Sequence, residues 1–133
     1  MEYAQSVWSP TTKQEIRRIE QVQRRATKLV NGTTGMGYKE WLKYLNLPTL
    51  NHRRLRGDMI ETYKMVSGIY DSRCIPKLQR ANNRTRGHQK KLFKPRALRL
   101  DLRKHFFTSR IVEEWNKLPD ELVTSDSLNK FKK

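Results

Sequence analysis

Residues 12–30 read TKQEIRRIEQVQRRATKLV, and this stretch decides the fold class. Ile16, Ile19, Val22, Ala26 and Leu29 recur at intervals of three and four, the spacing that gathers apolar side chains on one face of an α-helix. Thr12 followed three residues later by Glu15 has the form of a capping box, in which each side chain satisfies a backbone N–H at the helix start. Asn31 and Gly32 are suited to stop the helix, and Thr33 to Gly37 is expected to turn the chain.

The same period recurs downstream. Tyr38, Trp41, Leu42 and Leu45 share one side of a short segment that Asn46, Leu47 and Pro48 should halt. Leu55, Met59, Ile60, Tyr63 and Val66 form the expected buried stripe of a third helix over 49–67, with Gly57 a weak point and Gly68 the stop. A fourth helix is predicted over 104–117, where Phe107, Ile111, Trp115 and Leu118 share a face and Pro119 ends the run. Ser125 opens a last helix through Leu128 and Phe131. Trp41, Met59, Phe106, Phe107 and Trp115 are read as core, and core packing is also the reading given to Phe93.

Between these helices the pattern fades. Residues 79–88 are polar and arginine-rich, a linker or exposed loop. Leu98, Leu100 and Leu102 alternate with Arg99, Asp101 and Arg103 as in a strand, so a short hairpin over 89–102 is expected. The predicted architecture is mainly α: a small helical bundle with a basic loop or short hairpin and a second small helical part. Its divisions fall at 1–70, 71–103 and 104–133.

Charge is the strongest global signal. In 133 residues, 29 Lys and Arg face 13 Asp and Glu, a formal net charge of +16. Such an excess costs self-repulsion, which a polyanion relieves while releasing its condensed counterions. The three Trp, four Phe and five Tyr are spread among the cations, so the charge does not form a disordered basic tail. The lone Cys74 rules out an internal disulfide framework, and no apolar run approaches the roughly 20 residues of a membrane span or a signal peptide's core. An intracellular protein of nucleus or cytoplasm is expected, with no membrane partner.

Two segments concentrate the cations. Arg17, Arg18, Arg24, Arg25 and Lys28 occupy the faces that the first apolar stripe leaves free. Arg84, Arg86, His88, Lys90, Lys91, Lys94, Arg96, Arg99, Arg103 and Lys104 follow one another with only Asp101 opposing, and arginines beside Gly87 suit a clamp on phosphate oxygens. A solvated helix surface is the ordinary explanation of a charge run, and Glu20 with Arg24 fits a simple i,i+4 pair. The residues assigned to phosphate contact are Arg17, Arg24, Arg25, Lys28, Arg84, Arg86, His88, Lys90, Lys91, Lys94, Arg96 and Arg99.

Catalytic chemistry finds little footing. Cys74, His52, His88 and His105 lack the close spacings of a zinc site. Asp101 and His105 stand at i,i+4, but no nucleophile or second acid completes a constellation, and an ion pair is the better explanation. Neither a phosphate-binding loop ending in Lys-Ser or Lys-Thr nor a paired-aspartate motif for two-metal polymerisation occurs. No catalytic residue, metal, cofactor or small-molecule substrate is expected.

Several strings carry a more specific likeness. Glu2-Tyr3-Ala4, Val7-Trp8-Ser9-Pro10 and Val22-Gln23-Arg24-Arg25-Ala26 are followed by Leu47-Pro48-Thr49-Leu50 and Arg53-Arg54-Leu55-Arg56-Gly57-Asp58. Arg84-Thr85-Arg86-Gly87-His88, Phe93-Lys94-Pro95-Arg96 and Trp115-Asn116-Lys117-Leu118-Pro119 complete the series. In order and spacing, over nearly the whole chain, they resemble the region after the catalytic palm in reverse transcriptases of non-LTR (LINE-type, jockey-like) retrotransposons.

The resemblance implies a thumb and carboxy-terminal extension without the palm's aspartates. It implies a first helix beside the template-primer duplex, a following region that holds the element's RNA, and the upstream palm and fingers of the same polyprotein as a partner. Met1 and Lys133 fall inside that pattern, so a truncated copy or excised fragment is expected. The leading expectation is thus a non-catalytic fragment of an RNA-directed DNA polymerase that holds RNA or DNA through phosphates. The alternative is an interaction module whose exposed apolar residues near Val7, Trp8, Ile16 and Ile19 seek the palm.

Overall fold

The computed structural model describes residues 4–30, 35–82, 87–94 and 105–132. They form six helices and no strand: α1 (Lys13–Lys28), α2 (Tyr38–Tyr44), α3 (Leu50–Val66), α4 (Phe107–Lys117), α5 (Asp120–Val123) and α6 (Leu128–Phe131). The mainly α expectation is met. The expected alternating stretch from Leu98 to Leu102 lies outside the described residues, as do the stoppers Asn31 and Gly32.

Helix ends follow local chemistry. Thr12 caps α1 by accepting from the Glu15 N–H, and the Glu15 carboxylate accepts from the Thr12 N–H, the complete capping box. At the end of α2, Asn46 adopts φ +51°, and the Leu47 and Asn46 N–H groups donate to the carbonyls of Leu42 and Lys43. Gly68 repeats the arrangement after α3 at φ +71°, with Ile69 donating to Lys64 and Gly68 to Met65. Both are Schellman ends, which need a left-handed residue just past the helix.

The chain divides into two compact units, one of residues 10–56 and the other of 1–9 with 57–133. In the first, α1 does not bury the expected stripe. Gln23 and Thr27 are its buried residues, while Val22 and Leu29 are exposed. The buried face is centred on Ile16, Glu20, Gln23 and Thr27, rotated from the expected face by roughly 80° at 100° per residue. Polar groups can be buried there because partners meet them. Tyr38 Oη donates to Glu20 at 2.6 Å, the Leu50 N–H donates to the other Glu20 oxygen at 3.2 Å, and Gln23 Nε2 donates to the Pro48 carbonyl at 3.3 Å. Glu20 therefore satisfies one of the open N–H groups at the start of α3, where a negative charge also suits the helix dipole. Trp41, Leu42 and Leu50 supply the buried apolar surface.

The second unit holds the larger core: Met59 and Tyr63 of α3, Leu92, Phe107, Ile111, Val112 and Trp115 of α4, Val123 and Phe131. Tyr63 stacks on Phe131 at 4.5 Å between ring centroids and donates from Oη to the Ser125 carbonyl at 2.6 Å. Phe106, expected in the core, is exposed because it occupies the N-cap position of α4, off the helical stripe. α5 was not anticipated, since a single turn carries no periodicity to read.

A largely buried ion pair organises the same unit. Arg110 grips Asp58 with Nε and Nη2, at 2.9 and 3.0 Å, and Nη2 also donates to the Gln5 carbonyl at 2.7 Å. At Gly57, one position earlier, an added Cβ would meet the Gln5 side-chain amide at 1.7 Å, so a larger residue there displaces that side chain.

Candidate nucleic-acid interface

The expected cations that fall among the described residues belong to two segments, one in each unit. On α1, Arg17, Arg18, Arg24, Arg25 and Lys28 are all exposed. Projected at 100° per residue, Lys13, Arg24, Arg17, Lys28, Arg25 and Arg18 fill a sector of about 140°, interrupted only by Gln21 and Gln14. Both acids of the helix lie outside it. Glu15 is held in the capping box, and both oxygens of Glu20 accept from the inward groups already described.

Two of these cations rest on aromatic faces. The Arg24 guanidinium lies 5.5 Å from the Tyr38 ring centroid, and the Lys28 ammonium 5.9 Å from that of Trp41. Tyr38 and Trp41 in turn meet edge to face at 6.3 Å. A ring face restrains a cation without neutralising it, so charge is kept and side-chain freedom reduced. Burial, then the bond to Glu20, hold the Tyr38 hydroxyl well above its usual pKa, so it stays a donor.

The second surface is the segment 87–94, strapped to α4. The carbonyl of Trp115 receives His88 Nε2 at 3.0 Å, and Trp115 Nε1 donates to the Lys90 carbonyl at 2.9 Å. Asn116 completes the strap, its Oδ1 accepting from the Leu92 N–H and its Nδ2 donating to the Leu92 carbonyl, both at 2.9 Å. An antiparallel bridge between Arg80 and Leu92 closes the loop, with Ala81 donating to Lys91 and Phe93 to Gln79.

This arrangement changes the roles expected of the strap residues. His88, assigned to phosphate contact, is only 2% exposed and edge-on to Trp115, so it is a core residue. Because a carbonyl only accepts, His88 Nε2 carries the proton of that bond. Lys90 is half-buried, its Nζ donating to the Val123 carbonyl at 3.2 Å, where a cation suits the end of α5. Lys91 is also half-buried, and Lys94 is exposed and paired with Glu113. Phe93, expected in the core, is exposed because its bridge neighbour Leu92 takes the inward position. Arg84, Arg86, Arg96 and Arg99 lie outside the described residues, as does Asp101.

Lys13, Gln14 and Gln21 complete the α1 face without having been assigned to it, and Arg18, expected among its cations, joins the residues suited to phosphate contact. Helical projection of the sequence contained that signal; spacing of charges alone did not. Among the described residues no group of three His, Cys, Asp or Glu side chains is placed to hold a metal ion, and no helix is long and apolar enough to cross a membrane. A scan against protein-family models and searches of curated proteins and of solved structures return no match.

Proposed function

We propose that this chain is a polynucleotide-binding segment of an RNA-directed DNA polymerase of the non-LTR retrotransposon type, holding RNA or DNA by its phosphates and contributing no catalytic group. The observation that carries the reading is the acid-free sector of α1, with Lys13, Arg17, Arg18, Arg24, Arg25 and Lys28 exposed. A row of forked donors on a rigid helix matches repeated phosphate oxygens and is indifferent to base identity. The assignment to this polymerase type rests on the ordered strings from Glu2 to Pro119. Lys94 adds to the second surface, since an exposed ion pair such as that with Glu113 is worth only about 0–1 kcal/mol and yields readily to a phosphate.

If about six phosphates are engaged, the logarithm of the association constant falls with log salt at a slope near −4 on single strands and −5 on duplex. Replacing Arg17, Arg24 and Arg25 together by Gln should flatten that slope by about 2 to 3. An affinity indifferent to salt, or a slope unmoved by the triple substitution, defeats the proposal.

A second reading has its own support: Val7 and Trp8 are 82% and 42% exposed, whereas Ile16 and Ile19 of α1 are half-buried. Such surface suits packing on an upstream palm domain. Under that reading the isolated chain self-associates, and an added upstream region disperses it, while nucleic acid has no effect.

A further inference from the structure

A recess of about 280 Å³ lies beside the Arg80–Leu92 bridge. Its apolar lining includes Val66 from the end of α3, Ile75 and Leu78 from the following segment, and the buried Leu92, while Lys77 and Arg80 are the charged groups among the described lining residues. That volume falls just below the roughly 300–1,000 Å³ of small-molecule sites, which is room for one ring system and not for a stack of paired bases.

We infer that this recess takes a single unpaired nucleobase, whose flanking phosphates rest on Lys77 and Arg80. The inference rests on the phosphate-binding reading and adds that the preferred ligand is single-stranded. Three features favour a base over an apolar protein side chain. Both charged groups of the lining are cationic and both are exposed. Among the described residues no acid lines the recess to repel a phosphate. Leu92 is fixed through the backbone bonds to Asn116, and Arg80 is paired with it, so the apolar floor and the cationic rim are held together in advance of binding. A base in a duplex cannot enter without unpairing, whereas one in a single strand enters at the smaller cost of unstacking.

The test compares three fluorescent 12-nucleotide RNAs by anisotropy: a single strand, the same strand with its bases replaced by abasic sites, and the single strand annealed to its complement. All offer phosphates, and only the first offers free bases. The expected result is at least about fivefold tighter binding of the single strand than of the abasic strand. Ser72→Phe, at an exposed position lining the recess, should remove that preference and leave the abasic strand bound as before. Exposed Phe93 is the rival base platform, so Phe93→Ala should keep the preference.

Equal binding of intact and abasic strands, with a steep salt dependence retained, overturns the inference and leaves phosphate binding standing. A preference that survives Ser72→Phe but is lost in Phe93→Ala also overturns it and moves the base to Phe93. Loss of affinity for all three strands at low salt removes the phosphate reading and this inference with it. A recess that binds an apolar peptide, with RNA affinity unchanged by Ser72→Phe, assigns it to a protein side chain instead.

Discussion

Asn116→Ala cuts both bonds that hold Leu92. The Leu92 N–H and carbonyl each lose a partner at 2.9 Å, and Leu92 itself is 3% exposed, so water reaches them poorly. Each unsatisfied buried group costs about 1–3 kcal/mol. Because Asn116 is half-buried and its removal opens some room for water, the lower end applies, about 2–3 kcal/mol for the two. In a chain of this length 1 kcal/mol corresponds to roughly 3–5 °C, so the melting midpoint should fall by about 6–15 °C. Circular dichroism at 222 nm, followed against temperature and against urea, measures it. Asn116→Asp sharpens the test. It keeps an acceptor for the Leu92 N–H but sets a carboxylate against the Leu92 carbonyl, so at neutral pH it should be at least as unstable as the alanine variant. That contact raises the carboxyl's folded-state pKa above its unfolded value near 4, so the folded state holds the proton more tightly and stability returns as pH falls. A midpoint for Asn116→Ala within about 1 °C of the parent, or an aspartate variant with no acid recovery relative to alanine, refutes the strap as the element that fixes this loop.

Three further outcomes follow from the geometry. Removing either member of the Arg110–Asp58 pair should cost about 3–5 kcal/mol, because the survivor is only 17% or 10% exposed, whereas Arg110→Met with Asp58→Leu should cost well under the sum. Additive losses in a urea double-mutant cycle contradict that coupling. The N–H groups of Thr12 and then Thr11 hold the Glu15 carboxylate below its usual pKa, so the stability it gives α1 is present above the unfolded carboxylate range and lost as pH falls through the lower folded value. Glu15→Gln should therefore flatten the acid limb of a helicity titration, and an unchanged limb excludes the capping box as its source. Gly68→Ala meets no atom within 4 Å but forces a side chain to φ +71°, so chemical denaturation should register a pure backbone cost of about 1–2 kcal/mol.

The Arg-rich segment from Arg84 to Lys104 attracted most of the site assignment in the sequence, and the described part of it serves largely another purpose. His88 and Lys90 read as cations of a clamp because Gly87, Lys91 and Lys94 surround them. Trp115 and Val123, 27 and 33 residues further along the chain, take them up instead. The strings around His88 and Trp115-Asn116 were legible as separate features, and only the fold joins them, through the bonds of His88 to Trp115 and of Leu92 to Asn116. The α1 cations are exposed as expected, since a helix displays its charges in a geometry fixed by its own repeat.

The sequence by itself determined the helix ends that local caps set, but not the start of α4 or the single turn of α5. Thr12 with Glu15, Asn46, Gly68 and Pro119 act on backbone groups within a few residues, and such local chemistry needs no partner from elsewhere. Only the tertiary structure decided which side of α1 is buried. Ile16, Ile19, Val22, Ala26 and Leu29 mark the most apolar face, yet Glu20 and Gln23 lie inside because Tyr38, Pro48 and Leu50 bring them hydrogen-bond partners. A polar side chain can be buried wherever its bonds are met, and whether they are met depends on residues that the fold, not the neighbouring sequence, brings beside it.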